Sequence, residues 1–290
     1  MADFDMKLYL KLTGANRSVK IGDEPTLDVL KTIVRQHVMS VPYQNYTMLV
    51  TRKPVDFGIP TLMKTLLVDK IGGSCYEMCE FMLFILRSFN FDARRISTYA
   101  LVNNEGYTDD AVYNHSIIFV LLDGKKYLID VGFSLNSLRE PVEFNFERTE
   151  EKSVTPAEKY LLDCNDDHFK LSLWLKEAWA PMYRFRRPLQ FKNEQELREN
   201  YLDFMTTPTL IFVRDKTFKF GTVTATGRIG CSCPFDSFSL KATPPYTVVY
   251  GENHERPTSR KVSYKVFRDT VKKYANLNLN DEYFAEDESL

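Results

Sequence analysis

Around Asn90 the apolar pattern of the chain changes its period, and this change constrains the fold more than any other feature. Before it the spacing is helical. Leu27, Leu30, Val34 and Val38 fall at i, i+3, i+7 and i+11, with Pro25 placed at the first helical position and Asp23-Glu24 just before it. A second helix is predicted from an N-cap at Thr61 through Leu62, Leu66 and Leu67. A third begins near Cys75 and carries Met78, Phe81, Met82, Ile85, Leu86 and Phe89 on one stripe. After Asn90 come short runs rich in β-branched and aromatic residues, separated by turn residues, which is how strands read. The clearest pair is 116–122 and 125–131, joined by Asp123-Gly124, the strongest short-range hairpin signal. Further strands are expected at 169–175, 209–213, 219–226 and 246–249. Val266, Val271 and Tyr274 suggest a last helix, and 285–289 is too polar to need order. Helices first and strands afterwards define an α+β chain. No repeat, low-complexity tract or sharp linker divides it.

Composition narrows the function classes. A chain of 290 residues can form one large domain or two to three small ones, and 44% hydrophobic with 27% charged residues is ordinary for a folded protein. A formal net charge of -1 supplies no basic field for nucleic acid or anionic lipid, so neither is expected as a partner. No apolar run approaches the roughly 18 to 20 residues of a membrane span. The start, Met1-Ala2-Asp3-Phe4-Asp5-Met6-Lys7, lacks a secretory pattern, and a cytoplasmic location is expected. Five cysteines, Cys75, Cys79, Cys164, Cys231 and Cys233, are an odd number and do not read as a disulfide framework. Cys231-Ser232-Cys233 has no second cysteine pair, and His37, His115, His168 and His254 do not stand at zinc-finger spacing from it, so no metal is expected.

Cys75 follows Gly72-Gly73-Ser74 and opens a helix. Glycines let the backbone approach closely, and a helix N-terminus favours a negative thiolate. Two readings follow: a nucleophile, or a small apolar residue sharing the buried face of Met78. The hairpin bears on the choice. If Asp123-Gly124 is a two-residue turn, Leu122 pairs with Lys125, paired positions sum to 247, and His115 stands opposite Gly132. Asp130 is two residues from Gly132, so His115 and Asp130 share a face as diagonal neighbours, with Cα atoms about 7 to 8 Å apart. Such a pair either pins the hairpin or orients a catalytic histidine. With Cys75 upstream, the set reads as Cys-His-Asp acyl-transfer chemistry.

The order Gly72-Gly73-Ser74-Cys75-Tyr76-Glu77, then Asn114-His115 entering an apolar strand, then Tyr127-Leu128-Ile129-Asp130-Val131-Gly132-Phe133 resembles the arylamine N-acetyltransferase family. Pro25-Thr26-Leu27, Val41-Pro42-Tyr43-Gln44-Asn45 and Thr206-Thr207-Pro208-Thr209 with Phe212 extend the resemblance over nearly the whole chain, more loosely in its last third. The resemblance implies a cysteine-peptidase-like core: a helical N-terminal bundle at 1–90, a central β-barrel at 91–205 and a C-terminal α/β lid at 206–290. The active site falls between the first two. It implies ping-pong transfer of an acetyl group from acetyl-coenzyme A, through a thioester on Cys75, to an aromatic amine or hydrazine. Cys75, His115 and Asp130 are then catalytic, Phe133, Phe212 and Asn114 contact the acceptor, and Thr209 and Ser134 contact coenzyme A. Arg184, Arg186, Arg187 and Lys216 either meet its phosphates or are solvated surface charges.

Five positions depart from the family's pattern. Ile71 replaces an arginine and Gln44 a glutamate; joint loss of a buried ion pair leaves no stranded charge. Cys79 replaces an asparagine one helical turn after Cys75, either as a small buried residue or as a partner in oxidation chemistry. Ser134-Leu135 stands where glycines are usual, which bears on donor preference. A cysteine hydrolase with the same three residues, and a catalytically silent binding protein on the same fold, are the competing functions.

Overall fold

Asp5 opens the first helix. Its carboxylate accepts the Leu8 N–H at 3.0 Å, α1 covers Met6–Thr13, and Gly14 ends it with a left-handed φ of 78°. These positions come from a computed structural model, which describes residues 4–100, 113–156, 158–175, 177–207, 216–251 and 257–285. Helix α2 covers Leu27–Ser40 and is capped by Thr26, whose hydroxyl accepts the Val29 N–H. Pro25 therefore lies outside the helix rather than in its first turn. After strand β1, Tyr43–Gln44, and helix α3, Tyr46–Thr51, helix α4 spans Ile59–Met63 and runs on as a π turn over Lys64–Val68. It begins before the expected cap at Thr61: Pro60 fits a first turn because its missing N–H has no partner there, and the Thr61 hydroxyl instead reaches Asp56 at 2.7 Å. Helix α5 covers Cys75–Ser88, as its apolar stripe predicts. Leu30, Ile33, Val34 and Val38 of α2 pack against Phe81, Met82, Ile85 and Leu86 of α5.

Strands β2, Asp92–Ala100, β3, His115–Leu122, and β4, Lys125–Ile129, begin the second layer. Asp123 and Gly124 both have positive φ, 51° and 74°, as a two-residue turn matched to strand twist requires. Leu122 pairs with Lys125 and Ile118 with Ile129, which is the expected register. Alternation along β3 sends Ile118 and Val120 to the helices and Ile117 and Phe119 to the other face. That other face is the inside of an eight-stranded antiparallel sheet. Its order is β5-β4-β3-β2-β9-β8-β7-β6, adding β5, Val142–Glu143, β6, Glu150–Thr155, β7, Glu158–Cys164, β8, His168–Leu175, and β9, Ala178–Arg186. Edge strands β5 and β6 approach one another, so the sheet is a nearly closed barrel filled by Phe119, Leu128, Tyr160, Phe169, Tyr183 and Phe185.

Helix α6, Glu194–Thr206, opens at a reciprocal cap between Asn193 and Glu196, and returns Leu197, Tyr201 and Phe204 to the start of α5. The second sheet contains β10, Thr217–Val223, β11, Arg228–Asp236, β12, Lys241–Ala242, β13, Tyr246–Gly251, and β14, Thr258–Val262. Its order is β1-β10-β11-β13-β14, with β12 on β11, so residues 43–44 stitch the helical region to this sheet. Helix α7, Tyr264–Tyr274, covers one face through Phe267 and Val271. The other face looks toward the barrel. The expected strand at 209–213 lies outside the described residues.

Candidate active site

Two glycines set the entry to α5. Gly72 has φ 79°, and a Cβ there would run into the Pro42 carbonyl; Gly73 bonds back to the same strand, its carbonyl accepting Gln44 N–H at 3.0 Å. Gln44 stands where the resemblance expects a charge. Its amide donates to Thr47 Oγ1 at 3.0 Å and to the Gly72 carbonyl at 3.3 Å, while Ile71 packs against the apolar core of the second sheet. Both departures are thus absorbed without a stranded charge. Ser74 then caps the helix: its N–H and hydroxyl both donate to the buried Glu77 carboxylate at 2.8 Å. Burial raises the Glu77 pKa against these hydrogen bonds.

Cys75 is the first helical residue, and the barrel comes to it. Its thiol faces the Asn114 carbonyl at 3.9 Å, and Cys75 and His115 line the same cleft, near enough for the sulfur to raise the His115 pKa. His115 Nε2 meets Asp130 Oδ2 at 2.9 Å, leaving Nδ1 as the ring nitrogen for the thiol. Asp130 Oδ1 accepts the Gly132 N–H at 3.0 Å, so both its oxygens are held. Gly132 must lack a side chain, because a Cβ would stand 2.6 Å from Cys75 Cα. Burial opposes a charge on His115, but the Asp130 carboxylate and the Cys75 sulfur outweigh it and hold the imidazole pKa up at about 10. Among the described residues no histidine acts on the other buried cysteines, and at Cys79 burial outweighs the nearby Arg95 guanidinium. Burial pushes Cys79 up to about 11 and Cys231 to about 12, and Cys79 Sγ accepts the Ser116 hydroxyl at 3.2 Å, a small buried residue in a satisfied place.

Above Cys75 lies a cleft of about 330 Å³. Phe133 forms one wall, its ring 5.0 Å from His115 and 5.3 Å from Tyr183. Asn114 also lines it, but its side-chain amide is engaged by the Ala100 backbone, with Oδ1 accepting the Ala100 N–H at 2.6 Å. Ser134 opens a short 3-10 turn, Ser134–Asn136, with φ 55°. The turn sits hard against the second sheet: a Cβ on Gly221 would collide with Leu135 N and Ser134 Oγ, and one on Gly230 would lie 2.7 Å from Leu135 Cδ2. Where the family's glycines are missing, glycines of the facing strands make the room. Thr209 and Phe212 lie outside the described residues. Sequence reading did not single out Tyr43, Met182, Lys219 or Ser232, which also line the cleft. Only strand alternation on β10 and β11 marks the last two, and it needs the facing layer to say which side is the cleft.

The fold recurs in known proteins. A family model described as N-acetyltransferase matches residues 26–283, and the chain belongs to that family. Among similar curated proteins, the arylamine N-acetyltransferase of Mycolicibacterium smegmatis is 25% identical over 199 residues, 66% of this chain and 71% of that one. N-malonyltransferase FDB2 of Fusarium pseudograminearum is 26% identical over 218 residues, 66% and 63% of the two chains. In fold, the chain is similar to Mycobacterium marinum arylamine N-acetyltransferase solved in complex with CoA, with a TM-score of 0.75 over 94% of this chain and 93% of that one at 21% identity. The helices, barrel and second sheet are the α+β architecture expected from the sequence.

Proposed function

We propose that the protein is an arylamine N-acetyltransferase that works by ping-pong transfer through Cys75. The observation carrying this reading is the Cys75, His115 and Asp130 cluster at the floor of the cleft. Asp130 fixes the ring through Nε2 and stabilises the imidazolium that forms when His115 takes the Cys75 proton. Cys75 sulfur attacks the carbonyl of acetyl-coenzyme A, which enters as a substrate. The bond from that carbonyl to the coenzyme sulfur breaks, the coenzyme leaves as a thiol with the His115 proton, and the acetyl group stays on Cys75. An aromatic amine or hydrazine then attacks the thioester, its proton passes to His115, and the Cys75 sulfur leaves. Phe133 offers a flat apolar face to the ring of the acceptor, and Ser134 borders the donor side. The assignments of Asn114, Thr209 and Phe212 to the substrates follow the family resemblance.

The division into 1–90, 91–205 and 206–290 and a cytoplasmic location are proposals of the same reading. Among the described residues no helix is long and apolar enough to cross a membrane. Intact mass spectrometry tests the function: acetyl-coenzyme A should leave an acetyl adduct on Cys75 that an arylamine removes. No adduct from acetyl-coenzyme A or other short acyl donors overturns the transferase reading. An adduct lost equally fast with and without amine indicates a hydrolase.

A further inference from the structure

Lys219 is out of place for a structural lysine. It sits on β10 opposite Ser232 of β11, and both line the cleft that holds Cys75. Alternation puts its side chain on the face that carries Gly221, whose α-carbon abuts the Ser134 turn, while Phe218 and Phe220 turn to the opposite core. Its backbone is clamped: Lys219 N–H donates to Asn45 Oδ1 at 2.7 Å, and its carbonyl accepts Asn45 N–H at 3.2 Å. The ammonium itself makes no ion pair or hydrogen bond among the described residues. Those lining the cleft include no other lysine or arginine, and no aspartate or glutamate. Burial lowers its pKa from the ordinary lysine value, so the charge is partly dehydrated with no anion among the described residues paired to it.

We propose that Lys219 is a specificity residue that binds a carboxylate carried by one of the two substrates in the Cys75 cleft. Two sources have this chemistry: a dicarboxylic acyl thioester, whose free carboxylate stays in the cleft after loading on Cys75, or an aromatic amine bearing a ring carboxylate. Either supplies the missing anion within the space shared with the thioester, and a charge-assisted hydrogen bond there is worth more than in water. The proposal rests on the acyltransferase reading.

The test is a ratio, which cancels the fraction of enzyme folded. For donors, kcat/KM for malonyl-coenzyme A is divided by that for propionyl-coenzyme A; for acceptors, 4-aminobenzoate is divided by 4-aminobenzamide. Lys219→Met and Lys219→Gln should each lower one of the two ratios by about tenfold or more, as loss of a charge-assisted hydrogen bond implies, and Lys219→Arg should retain most of it. The ratio that falls identifies the source. Both ratios unchanged in both neutral variants overturn the proposal. A uniform fall for every donor, with both ratios constant, assigns Lys219 to the coenzyme phosphates and overturns it as well. Loading of Cys75 by any donor, read by mass, keeps the acyltransferase reading standing in those cases; no loading at all in the unaltered protein removes that reading instead.

Discussion

Two buried carboxylates in this protein hold cations, and they do opposite things with the same chemistry. Asp130 meets one ring nitrogen of His115 and one backbone N–H, so the histidine keeps its second nitrogen for a thiol in a cleft. Glu158 is shared by two arginines. It accepts from Arg139 Nε and Nη2 and, at 2.8 Å, from Arg228 Nε. The guanidiniums go on to backbone: Arg139 to the carbonyls of Thr224, Ala225 and Gly227, and Arg228 to those of Leu135 and Ser137 and to the Tyr160 hydroxyl. On the proposed function the first cluster has a ring nitrogen left for chemistry, whereas the donors of the second join barrel to second sheet. A carboxylate–cation pair becomes chemical only when the cation has a second face open to a substrate.

Breaking the first cluster should have the larger effect. Cys75→Ala is expected to lower amine acetylation by about 10⁴-fold or more, because the thioester route is gone, and to abolish the acetyl adduct. Asp130→Asn keeps the shape and removes the charge; a fall of about 10³- to 10⁴-fold in the rate of loading is expected. The same variant has an NMR readout. In the native protein the His115 ring should stay charged from pH 6 to 8 and lose its proton only as pH rises toward about 10, while His37, pulled down to about 3 by burial beside Tyr9, stays neutral. Without the Asp130 charge, the His115 signal should move to the neutral end of the range and His37 should not change. A His115 ring that titrates near 6.5 in the native protein would break the contrast.

The second cluster should fail in stability rather than in chemistry. Glu158→Leu strands two buried guanidiniums, at a cost of about 3 to 5 kcal/mol in urea unfolding. Its acid behaviour has a definite sign. Burial raises the Glu158 pKa, but Arg228 and Arg139 outweigh it and lower it, so its contribution is full above the unfolded carboxylate value of about 4.3 and disappears as pH falls through the folded one. The native protein should therefore lose stability on that limb, and Glu158→Leu should lose less of what remains.

The same contrast separates what the sequence made legible from what it did not. Cys75, His115 and Asp130 are placed by local rules: a capped helix start, a two-residue turn with both φ positive, and a period of two. Counting from Asp123-Gly124 reaches His115 and Asp130 within eight residues. Arg139, Glu158 and Arg228 obey no such rule, since their contacts span 19 to 93 residues of chain. Helix α6 had a signal that went unread, Asn193 three residues before Glu196, but its apolar positions Leu197, Tyr201 and Phe204 are sparse in a charged segment. Strand β9 was obscured by Pro181, which sits where the pairing with β8 slips by one residue, a place where a proline is tolerated in a sheet. Lys219 fell within an expected strand, yet its face has meaning only once the barrel opposite is known.

The smallest effects should come from the wall that the second cluster supports. Arg228 holds the Leu135 and Ser137 carbonyls, and so fixes the Ser134 turn against Gly221 and Gly230. At Gly221 an added methyl meets backbone, the Leu135 nitrogen, which cannot rotate away. At Gly230 it meets Leu135 Cδ2, the far end of a flexible side chain. Gly221→Ala should therefore cost about 1 to 3 kcal/mol and raise KM for the acyl donor, while Gly230→Ala should cost less than about 1 kcal/mol. Urea unfolding of the two variants side by side measures the difference. Equal costs would mean that the turn yields as a whole despite its arginine anchor, and the distinction between a locked wall and a reactive floor would then rest on the floor alone.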